Sequence, residues 1–160
     1  MLAPSEIIFR RARADDAAAI RAILHATFET TWLPQLTAAA RQAFLAEDRP
    51  ATYVSARGLQ FWVAEQNGDV VGFVDWEGDF VNALHVLPGH ARKGIGGRLM
   101  DEAEAQIGNA GFAAARLETD TFNSRSQAFY AARGYIEADR YPDTEWSSGL
   151  TTILLVKPFA

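Results

Sequence analysis

Apolar positions along this chain switch repeatedly between the alternation of a strand and the three-to-four-residue spacing of a helix. Ile7 to Ala12 alternates as a first strand, and Asp15 is placed to cap a helix whose apolar stripe is Ala18, Ile20, Ile23, Leu24 and Phe28. Pro34 ends that helix. Thr37 is placed to cap a second helix carrying Ala40, Phe44 and Leu45, closed near Asp48-Arg49-Pro50, and residues 51–59 read as loop. Phe61 to Glu65 and Val70 to Asp75 flank Asn67-Gly68, a pair that accepts the positive φ of a tight hairpin turn. A further turn at Glu77-Gly78-Asp79 leads to a strand ending at Pro88, so these strands form an antiparallel meander.

Ile95, Leu99, Met100, Ala103 and Ile107 then mark one face of a long helix, ending near Asn109-Ala110-Gly111, where glycine suits the cap. Ala114 to Thr119 is the next strand; because it follows the previous strand through a helix, a right-handed crossover sets the two parallel. Asn123 or Ser124 caps a short helix to Ala132, Arg133-Gly134-Tyr135 is its exit, and Ile153 to Val156 is a final strand in a mostly β end segment. The order β-α-α-β-β-β-α-β-α-β-β predicts an α/β (mixed α+β) domain. A central mixed sheet of six to seven strands would carry about four helices on its two faces, with one core.

Composition narrows the function more than the fold. With 160 residues, 49% of them hydrophobic, one domain spanning 1–160 can bury a single core. A net charge of −5 argues against a nucleic-acid partner, since the clustered basic residues are confined mainly to one turn. Cysteine is absent, which removes disulfides, thiolate metal sites and a cysteine nucleophile. No apolar run approaches membrane-spanning length and the first residues carry no basic leader, so the expectation is a cytoplasmic protein without a membrane partner.

The basic turn is the first candidate site. Residues 81–99 join an apolar strand to a helix through Pro88-Gly89-His90-Ala91-Arg92-Lys93-Gly94-Ile95-Gly96-Gly97-Arg98. Glycines leave backbone N–H groups unshielded, and the first turn of the helix aims unpaired N–H groups the same way, which is a cradle for phosphate. A nucleoside-triphosphate P-loop would need lysine and a hydroxyl after the second glycine, where Ile95 and Gly96 follow Gly94. A dinucleotide fingerprint would need a small residue where Leu99 stands, and would open the chain's first βαβ unit. A purely structural glycine turn is the remaining alternative.

A second segment, Asn123-Ser124-Arg125-Ser126-Gln127-Ala128-Phe129-Tyr130-Ala131-Ala132-Arg133-Gly134-Tyr135, weighs against that alternative. Together with Leu84-His85-Val86-Leu87-Pro88 and the cradle, it resembles the GNAT superfamily of acyl-CoA-dependent N-acetyltransferases. The cradle is similar to the family's Gln/Arg-x-x-Gly-x-Gly/Ala motif, and the second segment to its Asn-x-x-Ala-x-x-Phe-Tyr-x-x-x-Gly-Tyr/Phe motif. The two come in the family's order and span residues 81–135. The resemblance implies a GNAT-like acyl-CoA N-acyltransferase fold that uses acetyl-CoA as cosubstrate.

By the same resemblance, backbone N–H groups from Ala91, Arg92 and Lys93 through Gly94, Ile95, Gly96 and Gly97 would hold the pyrophosphate. The strand at Leu84, His85 and Val86 would pair with the pantetheine arm. Asn123, Ser126 and Phe129 would complete the cofactor wall, and Tyr130 would protonate the departing thiolate. Taken alone, a tyrosine after a phenylalanine is most often a core residue, and Asn123 an N-cap. The chain departs from the pattern at Ala91, where the family carries Gln or Arg, so the backbone is expected to suffice. It departs again at Asn82, where members often carry a glutamate linked to amine deprotonation.

The base is therefore open. His85 and Glu118 are the named candidates, with Asp75, Glu77 and Glu29 beside them and a water chain as the alternative. His25 and Glu29 share a helix face, but two residues without further ligand-spaced partners do not predict a metal. Glu29, Trp32 and Trp76, with Trp146, are expected to border the acceptor, since aromatic faces with carboxylates attract ammonium groups. The expected acceptor is a small-molecule primary amine, with a peptide N-terminus or protein lysine as the second choice. A CoA-sensing module without turnover is the non-enzymatic alternative. An exposed strand in 136–156 offers an edge for a homodimer.

Overall fold

In chain order the elements are strand Ile7–Arg11 (β1), helices Ala17–Thr27 (α1), Ala38–Glu47 (α2) and Arg49–Arg57 (α3), and strands Trp62–Gln66 (β2), Asp69–Glu77 (β3) and Phe80–Val86 (β4). Helix Ile95–Asn109 (α4), strand Ala114–Asp120 (β5), helix Ser124–Ala132 (α5) and strands Ile136–Pro142 (β6) and Thr151–Pro158 (β7) follow. The computed structural model describes residues 6–90, 93–143 and 149–160, with the backbone alone at Leu45 and Glu47. Ala91, Arg92, Trp146 and the Leu45 side chain, all named above, lie outside the described residues.

The strands form one seven-stranded sheet in the order β1-β2-β3-β4-β5-β7-β6. Neighbours are antiparallel except β4 and β5, which run parallel because α4 carries the chain back between them. The hairpin and cap expectations hold: Asn67 and Gly68 both have positive φ between β2 and β3, and Thr37 Oγ1 accepts from Ala40 N at 3.2 Å.

Two layers of helix cover the sheet. On one face α4 buries Ile95, Leu99, Met100, Ala103 and Ile107 against Val74, Val81, Leu117 and Ile153. On the other, Ile20 and Ile23 of α1 and Val54 of α3 pack on Val63, Val70 and Phe73. Each such side chain, fully buried, contributes about 2 kcal/mol. Among the described residues no helix is long and apolar enough to cross a membrane.

Local corrections have physical causes. Residues 49–57 are a helix, not loop: Pro50 sits in its first turn, where no N–H is needed, and Asp48 Oδ1 accepts from Ala51 N at 3.4 Å. The described chain accordingly has five α-helices, not four. At the start of α1 the buried carboxylate is Asp16, which accepts from Arg13 N at 2.7 Å and pairs with Arg10, while Asp15 and Ala18 face solvent. The helix does not stop at Pro34 alone. It first widens into a π turn at Phe28–Trp32, beside Thr27 and Thr30 hydroxyls that bond back to Ile23 and Ala26 carbonyls at 3.0 and 2.9 Å.

Candidate active site

One irregularity opens the sheet. Register between β3 and β4 passes from Asp75↔Ala83 to Trp76↔Val81, so Asn82 is an extra residue in β4. The bulge shifts the side-chain alternation: Val81 and Leu84 both pack with α4, although three positions apart, while Ala83 packs on the α1 side. Pairing of β4 with β5 covers only Phe80↔Arg116 and Val81↔Leu117, and it stops where the bulge begins. Beyond that point the facing edges of β4 and β5 have no strand partner, and a cleft of about 680 Å³ occupies the gap.

A buried charge holds the bulge in place. The Asp75 carboxylate is fully buried, bonded by Arg57 at 2.9 Å, by the Tyr53 hydroxyl at 2.6 Å and by Asn82 Nδ2 at 3.0 Å. Asn82 also donates to Glu77, which pairs with Arg57 at 2.9 Å. Asp75 and Glu77 are thus committed to structure. Removing one partner of such a buried pair typically costs about 3–5 kcal/mol.

The cradle sits at the floor of the cleft. Gly94, the N-cap of α4, has φ +77°, a conformation that costs an L-residue roughly 1–2 kcal/mol. At Gly96 a Cβ would stand 3.7 Å from Phe129 Cζ and 3.8 Å from Val86 Cγ2, ordinary contact distances, so the packing leaves room there and what glycine spares is the approach to the backbone N–H groups. Arg98 N is bonded to Gly94 O at 3.1 Å, the first bond of the helix, so the N–H groups of Ile95, Gly96 and Gly97 have no acceptor within it. They and the helix dipole favour an anion. The Arg98 guanidinium turns away, 4.1 Å from the centroid of Phe9.

Helix α5 forms the opposite wall and is clamped at both ends. Asn123 Oδ1 accepts from Ser126 N at 3.1 Å, the cap anticipated from sequence, and the Ser126 and Thr119 hydroxyls are 2.8 Å apart. At the far end Arg133 donates to Gly97 O at 3.2 Å and pairs with Asp101 and Glu104. Tyr130 is thereby held against Phe129 and Tyr135, with ring centroids 5.0 and 5.5 Å away. Burial raises its phenol well above the ordinary value, so the hydroxyl keeps its proton at neutral pH.

The cleft gathers Trp32, Leu84, His85, Val86, Gly94, Ile95, Gly96, Gly97, Glu118, Asn123, Ser126, Phe129 and Tyr130. Three others stand apart. Lys93 and Glu29 are exposed outside the lining, and Trp76 packs against the core. His85 lies between Trp32 and Phe73, and burial pushes its imidazole down to about 4, leaving it neutral at neutral pH. Glu118 is exposed on the β5 wall. Sequence reasoning missed Asp120 and Arg125, which line the same cleft. Asp120 carried one signal, its place two residues after Glu118 on a strand.

A mixed sheet split between parallel strands, with a glycine-bearing helix start beside the split, defines the architecture of this α/β domain. The chain belongs to the acetyltransferase (GNAT) family, whose model matches residues 17–135. It is 35% identical over 86 residues to the uncharacterized N-acetyltransferase YhfO of Bacillus subtilis (strain 168), covering 47% of this chain and 57% of that protein. To the blasticidin-S acetyltransferase of Streptomyces morookaense it is 34% identical over 93 residues, covering 58% and 66%. Both matches span less than two thirds of those relatives. The crystal structure of PaiA N-acetyltransferase from Thermoplasma acidophilum in complex with coenzyme A shares the fold, with a TM-score of 0.74 over 96% of this chain and 99% of that one at 19% identity.

Proposed function

We propose that the chain moves an acetyl group from acetyl-CoA to the primary amine of a small molecule, by direct attack in a ternary complex. One observation carries this reading: the phosphate cradle of α4 and the unpaired edge of β4 open into the same cleft. A phosphate and an amide-bearing arm would each find backbone partners there, and a structure similar in fold to this chain was solved with coenzyme A.

The N–H groups of Ile95 to Gly97, with the preceding Ala91-Arg92-Lys93 stretch, would hold the pyrophosphate. The backbone of Leu84 to Val86 would pair with the arm, and Asn123, Ser126 and Phe129 would close the other side. Acetyl-CoA, when bound, supplies an acyl group activated as a thioester. A β4 N–H serves the negative charge that develops on the acyl oxygen, because a preorganised donor in a cleft costs little reorganisation. Tyr130 holds its proton for the departing sulfur. His85, neutral and weakly basic, and the solvated Glu118 are the groups of the sequence reading that face the acceptor amine. The exposed edge strand β6, with Ile136 61% exposed, supports a homodimer paired there.

Thermal melting tests the cofactor. A ligand that binds only the native state raises its stability by mass action, so saturating acetyl-CoA is expected to raise the melting temperature while ATP and NAD at equal concentration leave it nearly unchanged. An equal shift with all three, or none with acetyl-CoA, would remove the cofactor assignment.

A further inference from the structure

We propose that the acceptor's ammonium group docks on the Asp120 carboxylate beside the Trp32 ring, and that the acceptor class is accordingly amines without a carboxylate on the α-carbon. The inference rests on the acetyl-transfer reading above and names its substrate class.

Four other carboxylates whose side chains are mostly buried are matched to cations. Asp16 and Glu65 meet Arg10 at 2.7 and 3.0 Å, Asp75 meets Arg57 at 2.9 Å, and Glu104 meets Arg133 at 3.0 Å and Lys157 at 2.5 Å. Asp120 differs from these four and, unlike Glu102, lines the cleft. It is half-buried on the cleft wall, and its only side-chain partner among the described residues is neutral, the Trp32 indole N–H at 2.7 Å. Burial raises its proton affinity, the Trp32 bond partly offsets this, and Asp143 adds like charge. A carboxylate so placed gains most from a cation that arrives with the ligand.

Geometry says which ligand. Beyond Val81↔Leu117 the two strands line opposite sides of the cleft, and Trp32 reaches both His85 and Asp120 from the α1 side. The Trp32 and His85 ring centroids are 5.8 Å apart. Thr119, the residue before Asp120, points the other way and bonds Ser126 of α5, so α5 and its Arg125 stand on the cradle side. Among the described residues, the α1 side of the lining, Thr27, Thr31, Trp32, His85, Glu118 and Asp120, holds no arginine or lysine. An α-carboxylate would meet two carboxylates there and no cation from the described residues, a repulsive arrangement that discriminates against amino acids.

Matched pairs test this on the whole chain: tyramine against tyrosine, histamine against histidine, and agmatine against arginine, each with acetyl-CoA and a thiol-release readout. Wild-type kcat/KM for the amine is expected to exceed that for its amino acid at least tenfold in the pairs that react. Asp120→Asn is expected to raise the amine KM tenfold or more with a smaller change in kcat, to leave acetyl-CoA affinity unchanged, and to shrink the pair preference below threefold. Amino acids turned over as well as their amines, or an unchanged amine KM in Asp120→Asn, would overturn the inference. The pair comparison uses the wild-type chain and decides the question even if the variant does not fold. Absence of turnover with every pair overturns it too, and the acetyl-CoA melting shift then shows whether the cofactor reading survives.

Discussion

Tyr130→Phe is expected to lower kcat by roughly tenfold to a thousandfold while acetyl-CoA affinity stays nearly unchanged, the range typical of a lost general acid with a fairly good leaving group. The change keeps the ring that packs between Phe129 and Tyr135 and removes only the phenolic oxygen and its proton. Because that proton matters most as charge grows on sulfur, its loss falls on the chemical step and not on ground-state binding. Burial already keeps the hydroxyl protonated at neutral pH, the state a proton donor needs. Steady-state turnover with a reactive amine, beside calorimetry with acetyl-CoA, reads both quantities. Equal kcat in the two forms would return Tyr130 to a packing role.

Gly96→Val is expected to weaken acetyl-CoA binding more than tenfold, or about 1.4 kcal/mol, in a protein that still folds. The Cβ that the variant adds stands at 3.7 and 3.8 Å from Phe129 and Val86, ordinary contacts, and a far-ultraviolet spectrum of the variant checks that the fold also accepts the two methyl groups. The left-handed backbone is at Gly94, so Gly96 can take a side chain without that strain. A branched side chain there covers the N–H groups that a phosphate must approach. Unchanged affinity in a folded variant would show that the phosphates do not rest on this turn.

How much of this was legible in the sequence depends on the range of the interaction. Asn67-Gly68, the Thr37 and Asn123 caps and the Gly94 to Gly97 turn are local devices, and their residues announce them. Pro50 misled because proline both ends one helix and begins another, and only the Asp48 cap distinguishes the two. The bulge at Asn82 is a property of pairing with β3, and no single-strand pattern reveals it. Asp75 was visible as a charge on a strand, but its burial depends on Arg57 from α3, the helix that the sequence pattern concealed. Asp120 was missed for the same reason: its partner Trp32 lies 88 positions earlier and is turned toward it by a π turn. The cradle side of the cleft is largely made of local motifs, and its α1 side of long-range contacts.

Product stoichiometry decides the matter most directly. With acetyl-CoA and an amine such as tyramine, thiol release and mass-spectrometric quantification of the amide are run on one reaction. The cleft between β4 and β5, read as the place of direct acetyl transfer, predicts amine-dependent release of CoA matched mole for mole by N-acetylated amine. Acetyl-CoA that binds and raises the melting temperature, yet releases thiol no faster with any amine than with water alone, would contradict it.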